Sequence, residues 1–246
     1  MDPLSSSYSQ PQSSSSNIND SLKDFRQISP LVKNHLKLVY LSLCFALLAS
    51  AVGAYLHIIW NIGGVLTTLA TLGCMSLLLA IPLYEEKKRV CMLMLSALLQ
   101  GVSIGPLIKL AINFDPSILV TAFVGTAIVF ACFSGAAMLA KRREYLYLGG
   151  FLSSCVSILL WLHFASSIFG GSLSLNIMLY SGLLVFVGYM VYDTQDIIEK
   201  AHLGDLDYVS HALTLFIDFI AVFLRILVIM LKNSDDREER RKRRRE

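Results

Sequence analysis

LVYLSLCFALLASAVGAYLHIIWNIGGVLTTLATLGCMSLLLAIPLY, from Leu38 to Tyr84, contains no Asp, Glu, Lys or Arg. One helix needs roughly 20 apolar residues to cross a bilayer, and this stretch is about twice that length. It reads as two membrane-spanning helices joined at the uncharged turn Asn61-Ile62-Gly63-Gly64. A second charge-free stretch, Tyr145 to Val191, reads the same way, with its turn at Gly170-Gly171. Working outward, apolar windows fall at 37–58, 62–84, 90–112, 117–140, 146–169, 175–196 and 208–231. Composition agrees: the chain is 55% hydrophobic and 16% charged, with mean hydropathy +0.61. That is too apolar for a soluble domain of this length. The expected fold is an all-α integral membrane protein of seven transmembrane helices.

The flanks differ in kind. Residues 1–35 are rich in Ser, Gln and Asn and lack the apolar run of a signal peptide, so they read as a disordered polar tail. Residues 36–231 form the membrane domain, and 232–246 a charged, basic tail. Cys44, Cys74, Cys91, Cys132 and Cys155 show neither CxxC nor metal-site spacing, and are expected to be buried, inert thiols. Asp115-Pro116 supplies an N-cap followed by proline at the first helical position.

Basic residues set the orientation. Lys23, Arg26, Lys33 and Lys37 precede the first span, Lys87, Lys88 and Arg89 lie between the second and third, and Lys141, Arg142 and Arg143 between the fourth and fifth. The alternate turns carry none, which predicts a cytosolic N-terminus. The run Arg240, Arg241, Lys242, Arg243, Arg244, Arg245 breaks this rule if the seventh segment crosses fully. Re-entry of that segment would restore it, and the side of the tail stays open.

Ionisable residues inside the last two spans carry the functional reading. A carboxylate near the centre of a membrane helix costs at least about 2.5–3.5 kcal/mol, so one kept there points to a function. Asp193 and Asp218 are such residues. His211, Asp218 and Arg225 are spaced seven apart and share one face of the last helix, with Thr214 beside them. Asp196 shares a face with Asp193, and Asp196, Glu199, Asp205 and Asp207 read as solvated helix end and connector. A depth estimate places Asp193 about 7 Å and Asp218 about 15 Å from the cytosolic end, so contact needs tilted or shifted helices. Two acids in a low-dielectric site cannot both ionise cheaply, and such a pair titrates as one unit.

These residues also carry a family resemblance. Tyr180 to Gln195 (YSGLLVFVGYMVYDTQ), Ile197 to His211 (IIEKAHLGDLDYVSH) and Ala212 to Phe223 (ALTLFIDFIAVF) resemble the Bax inhibitor 1 family, which carries the transmembrane Bax inhibitor motif, and most of all its plant branch. Asp115-Pro116-Ser117-Ile118 and the basic C-terminus support the likeness, which covers nearly the whole chain after the N-terminal tail. The resemblance implies a seven-helix bundle with the last helix central. It implies residence in the endoplasmic reticulum membrane, suppression of programmed cell death and a pH-sensitive calcium leak. Its paired aspartates carry over onto Asp193 and Asp218, with His211, Arg225 and Asp196 as supporting polar residues. Calcium enters as the permeant ion only through the resemblance, since the carboxylates alone argue for a cation or a proton. In plant relatives it also implies calmodulin as partner of the tail, Arg240 to Arg245.

Three rival readings remain. Gly101-Val102-Ser103-Ile104-Gly105 matches GxSxG, but a nucleophile elbow is a strand-to-helix turn and this stretch lies within a span. Its glycines are as well explained by close helix packing. An intramembrane aspartyl protease would use Asp193 and Asp218 to activate water. Against it, Asp218 sits in Phe216-Ile217-Asp218-Phe219 rather than GxGD. A scaffold without transport would use the two acids to pin helix packing. The expectation is a non-enzyme without cofactor or bound metal.

Overall fold

A computed structural model describes residues 30–140, 147–169 and 173–244. Most of the polar N-terminal tail, the basic connector Lys141 to Glu144, the turn Gly170-Gly171 and Arg245 lie outside the described residues. Within them the chain is helical, without strands: α1 Pro30–Trp60, α2 Val65–Ala80, α3 Glu86–Phe114, α4 Pro116–Leu139, α5 Leu148–Phe169, α6 Leu173–His202 and α7 Tyr208–Arg243. Six of these are long and apolar enough to cross a membrane, while α2, with 16 residues, is shorter. At 1.5 Å per residue α2 spans about 24 Å, less than a typical hydrocarbon core of about 30 Å. The chain is a multi-pass membrane protein.

Local chemistry sets several boundaries. The Asp115 carboxylate accepts from the Ser117 backbone N–H at 2.9 Å, with Pro116 opening α4, as the capping pattern predicts. That N–H holds the exposed Asp115 carboxyl below its usual range. The cap is therefore present above the ordinary carboxylate range and is lost as pH falls through the lowered value. Asn61 turns the chain between α1 and α2 with a positive φ of 54°, a conformation Asn tolerates better than most residues. Helix α1 begins at Pro30, earlier than the first apolar window, because Val32, His35 and Leu36 already pack inward. Helix α6 likewise runs on to His202, with Ile197 and Ala201 buried.

Close packing of α1 against α3 depends on glycine. A Cβ on Gly101 would lie 1.9 Å from the Ser50 carbonyl oxygen, and one on Gly53 would lie 2.0 Å from that of Leu98. Gly105 faces the His57 ring. The GxSxG match thus lies inside helix α3, just before Pro106, as a small-residue packing face, and Ser103 shares a 2.6 Å hydrogen bond with Thr68 of α2.

Helix α7 packs against α1, α3, α4 and α6, and 50% of its apolar stretch is buried, the largest share of any spanning helix. Phe219 meets both Phe123 and Phe130 of α4 edge-on, and Phe223 meets Phe123. Such ring pairs add about 0.5–1.5 kcal/mol each beyond area burial. The outer faces of α1, α2, α4 and α5 carry Leu48, Leu66, Val120, Trp161 and similar residues largely exposed, as lipid-facing surfaces require. The cysteines lie on such outer surfaces, Cys91 on that of α3. Cys44, Cys91 and Cys132 are exposed and Cys74 and Cys155 partly so, which corrects the expectation of buried thiols. In a bilayer an apolar residue need not enter the protein core to avoid water.

The seventh segment does not fold back. Helix α7 continues without a break into the charged stretch Lys232 to Arg243. Its start is tied to the start of α1 by His35 and His211, so the charged end emerges at the opposite face of the bundle.

Candidate functional site

Asp193 and Asp218 meet at the α6–α7 seam. Their carboxyls face one another across the seam, close enough to interact directly. Asp218 is 4% exposed, and its Oδ2 is buried without a hydrogen-bond partner; Asp193 is half-buried. The depth mismatch expected from the apolar windows disappears because α6 is longer than its window. Counted from the His202 end, Asp193 is about 14 Å inside, and Asp218 is about 15 Å from the start of α7. The two helices run antiparallel, so these depths match without a large tilt.

A chain of hydroxyls, buried at Thr194 and Ser134, adjoins the pair. Thr194, wholly buried, lies 3.2 Å from Ser134 of α4, which is hydrogen-bonded to Tyr40 of α1. Thr194 also donates to the Met190 carbonyl at 2.7 Å, and Gln195 donates to the Ala137 carbonyl at 3.3 Å. These contacts tie the Asp193 segment to two other helices, so its position is set by packing as well as by its own seam.

The remaining stripe residues separate. His211 is buried and lies 2.9 Å from His35, with Asp205 at 3.9 Å. Arg225 sits farther along α7, over the Phe186 ring. Neither joins the carboxyl pair, because seven residues along a helix is about 10 Å. Sharing a face does not place side chains at one level. Asp196 pairs with Lys200 at 2.7 Å on a partly exposed helix end.

Two connector residues are also recast. Arg89, read as part of the basic connector between the second and third spans, is 4% exposed and holds Asp207 with two hydrogen bonds of 2.7 and 2.6 Å. The same Asp207 accepts from the Ser210 N–H and caps α7. Nearby, Tyr208 donates to Glu86 at 2.5 Å. The sequence signal for half of this cluster was present in Asp207 placed three residues before Ser210. The Arg89 contact had none, since its partner lies far along the chain. In the tail, Lys242, Arg243 and Arg244 are exposed, and the side chains of Arg240 and Arg241 lie outside what the structure describes.

Comparison with known proteins decides the family. The model for "Inhibitor of apoptosis-promoting Bax1" matches residues 32–235. The chain belongs to this family. It is 68% identical to Bax inhibitor 1 of Arabidopsis thaliana over the whole of both chains. Identity to the Oryza sativa protein of the same name is 65%, over 92% of this chain and 91% of that one. The Homo sapiens Bax inhibitor 1 is 42% identical over 89% of this chain and 94% of its own length. The family match ends at residue 235, so it covers every spanning helix and stops within the charged extension of α7. Asp193 and Asp218 both fall inside it.

Proposed function

We propose that the protein suppresses programmed cell death from the endoplasmic reticulum membrane and acts there as a pH-sensitive calcium leak gated by Asp193 and Asp218. The suppressor role rests on family membership and on the names of its relatives. The gate rests on one observation: two membrane carboxyls facing one another across a helix seam, one of them buried with an unpartnered oxygen. A proton shared by the pair ties α6 to α7. Gain or loss of that proton changes the repulsion across the seam and shifts the balance between closed and open packing. When open, hard carboxylate oxygens suit a calcium ion in transit. Helix α7 as the centre of a seven-crossing bundle is supported by its large buried share and its four helix contacts.

Purified protein in liposomes tests this directly. Calcium release that varies with pH is expected, and no release in excess of empty liposomes would leave the scaffold reading instead. The same preparation should not cleave a helical membrane substrate; cleavage lost in Asp193→Asn would favour the aspartyl protease.

The positive-inside pattern supports a cytosolic N-terminus, and the unbroken α7 then directs the basic tail into the lumen. In a protease-protection assay on microsomes, a tag before the first residue should be digested and a tag after the last should survive. The tail's partner is calmodulin only if the C-terminal tag is digested as well. In that case a peptide from Val222 onward should bind calmodulin in calcium and release it on chelation.

A further inference from the structure

The α6–α7 seam holds a second contact beyond the carboxyl pair. Phe186 lies seven residues before Asp193 on α6, and Arg225 lies seven after Asp218 on α7. The helices are antiparallel, so both steps lead the same way, about 10 Å toward the end where the tail emerges. There the guanidinium carbon of Arg225 stands 4.0 Å from the Phe186 ring centroid, and Nη1 donates to the Ala221 carbonyl at 3.1 Å. Gly182, one turn before Phe186, forms the seat: a Cβ there would lie 2.5 Å from Nε of Arg225. Among the described residues no carboxylate is paired with this guanidinium.

A guanidinium keeps its charge at any relevant pH. Holding one in an apolar stretch is costly, and a ring face with a carbonyl compensates only in part. The charge therefore acts on whatever moves along the seam. We propose that Arg225, seated by Gly182 and Phe186, is the electrostatic barrier of the leak and limits calcium more strongly than monovalent cations. This deepens the leak reading and rests on it. Coulomb repulsion scales with the charge of the ion, so neutralising Arg225 lowers the barrier for calcium twice as much as for potassium. In rates, the calcium gain is the square of the potassium gain: about threefold for potassium corresponds to about tenfold for calcium.

The test measures calcium and potassium flux from liposomes containing the full chain as native protein, Arg225→Gln, Arg225→Lys and Gly182→Ala. Arg225→Gln should raise both fluxes with that unequal gain. Arg225→Lys, which keeps the charge, should retain the native flux ratio. Gly182→Ala displaces the guanidinium from its seat and should shift the ratio in the same direction as Arg225→Gln, by less. It carries the test if Arg225→Gln fails to give a monodisperse protein. Equal gains for both ions would mean simple loosening of the seam and would overturn the barrier, as would unchanged fluxes. No flux from the native protein rejects the leak itself, whereas a native leak with unaltered variant ratios rejects only the role of Arg225.

Discussion

Asp218→Asn should reduce calcium flux from liposomes by at least about tenfold while leaving the protein folded; tenfold corresponds to about 1.4 kcal/mol in the balance between states. Asn nearly matches Asp in size, so the packing around this 4%-exposed residue is kept. It removes the acid, and with it the charge that changes across the seam. Asp193 is only half-buried, and Asp193→Asn should mainly alter the pH dependence because Asp218 remains to bind the ion. The double Asn variant should show little flux and no pH response. If it leaks calcium with an unaltered pH profile, the gate lies elsewhere and the pair only joins two helices.

The second large effect concerns stability. Asp207→Ala leaves Arg89, whose side chain is 5% exposed, without its carboxylate, and it removes the α7 cap as well. Breaking a buried pair from one side typically costs about 3–5 kcal/mol, because the surviving charge is uncompensated. Thermal unfolding in detergent should show this as a large drop in Tm. Adding Arg89→Met removes the stranded charge, so the double variant should recover part of the loss. An Asp207→Ala protein as stable as the native one would show that water or lipid already satisfies Arg89. The flux ratio between calcium and potassium should not move in either variant, which separates this anchor from the seam.

Much of the fold was determined by the sequence alone. Hydrocarbon excludes charge and forces the backbone to satisfy its own hydrogen bonds, so charge-free stretches marked the helices and Asp115-Pro116 marked a start. Asp193 and Asp218 stood out for the same reason, because an acid within a span is expensive. Helix lengths were less legible. A hydropathy window ends where charges begin, yet α6 continues past Asp196 because its inward face remains apolar at Ile197 and Ala201. That extension levels Asp193 with Asp218. The tertiary structure alone decided which polar residues share a site. Residues on one face of α7 proved to have three sets of neighbours, His35 for His211, Asp193 for Asp218 and Phe186 for Arg225. Arg89 found Asp207 across the bundle rather than water. A residue's own helix fixes the direction in which it points, but the partner it meets depends on the register between helices, which no local pattern encodes.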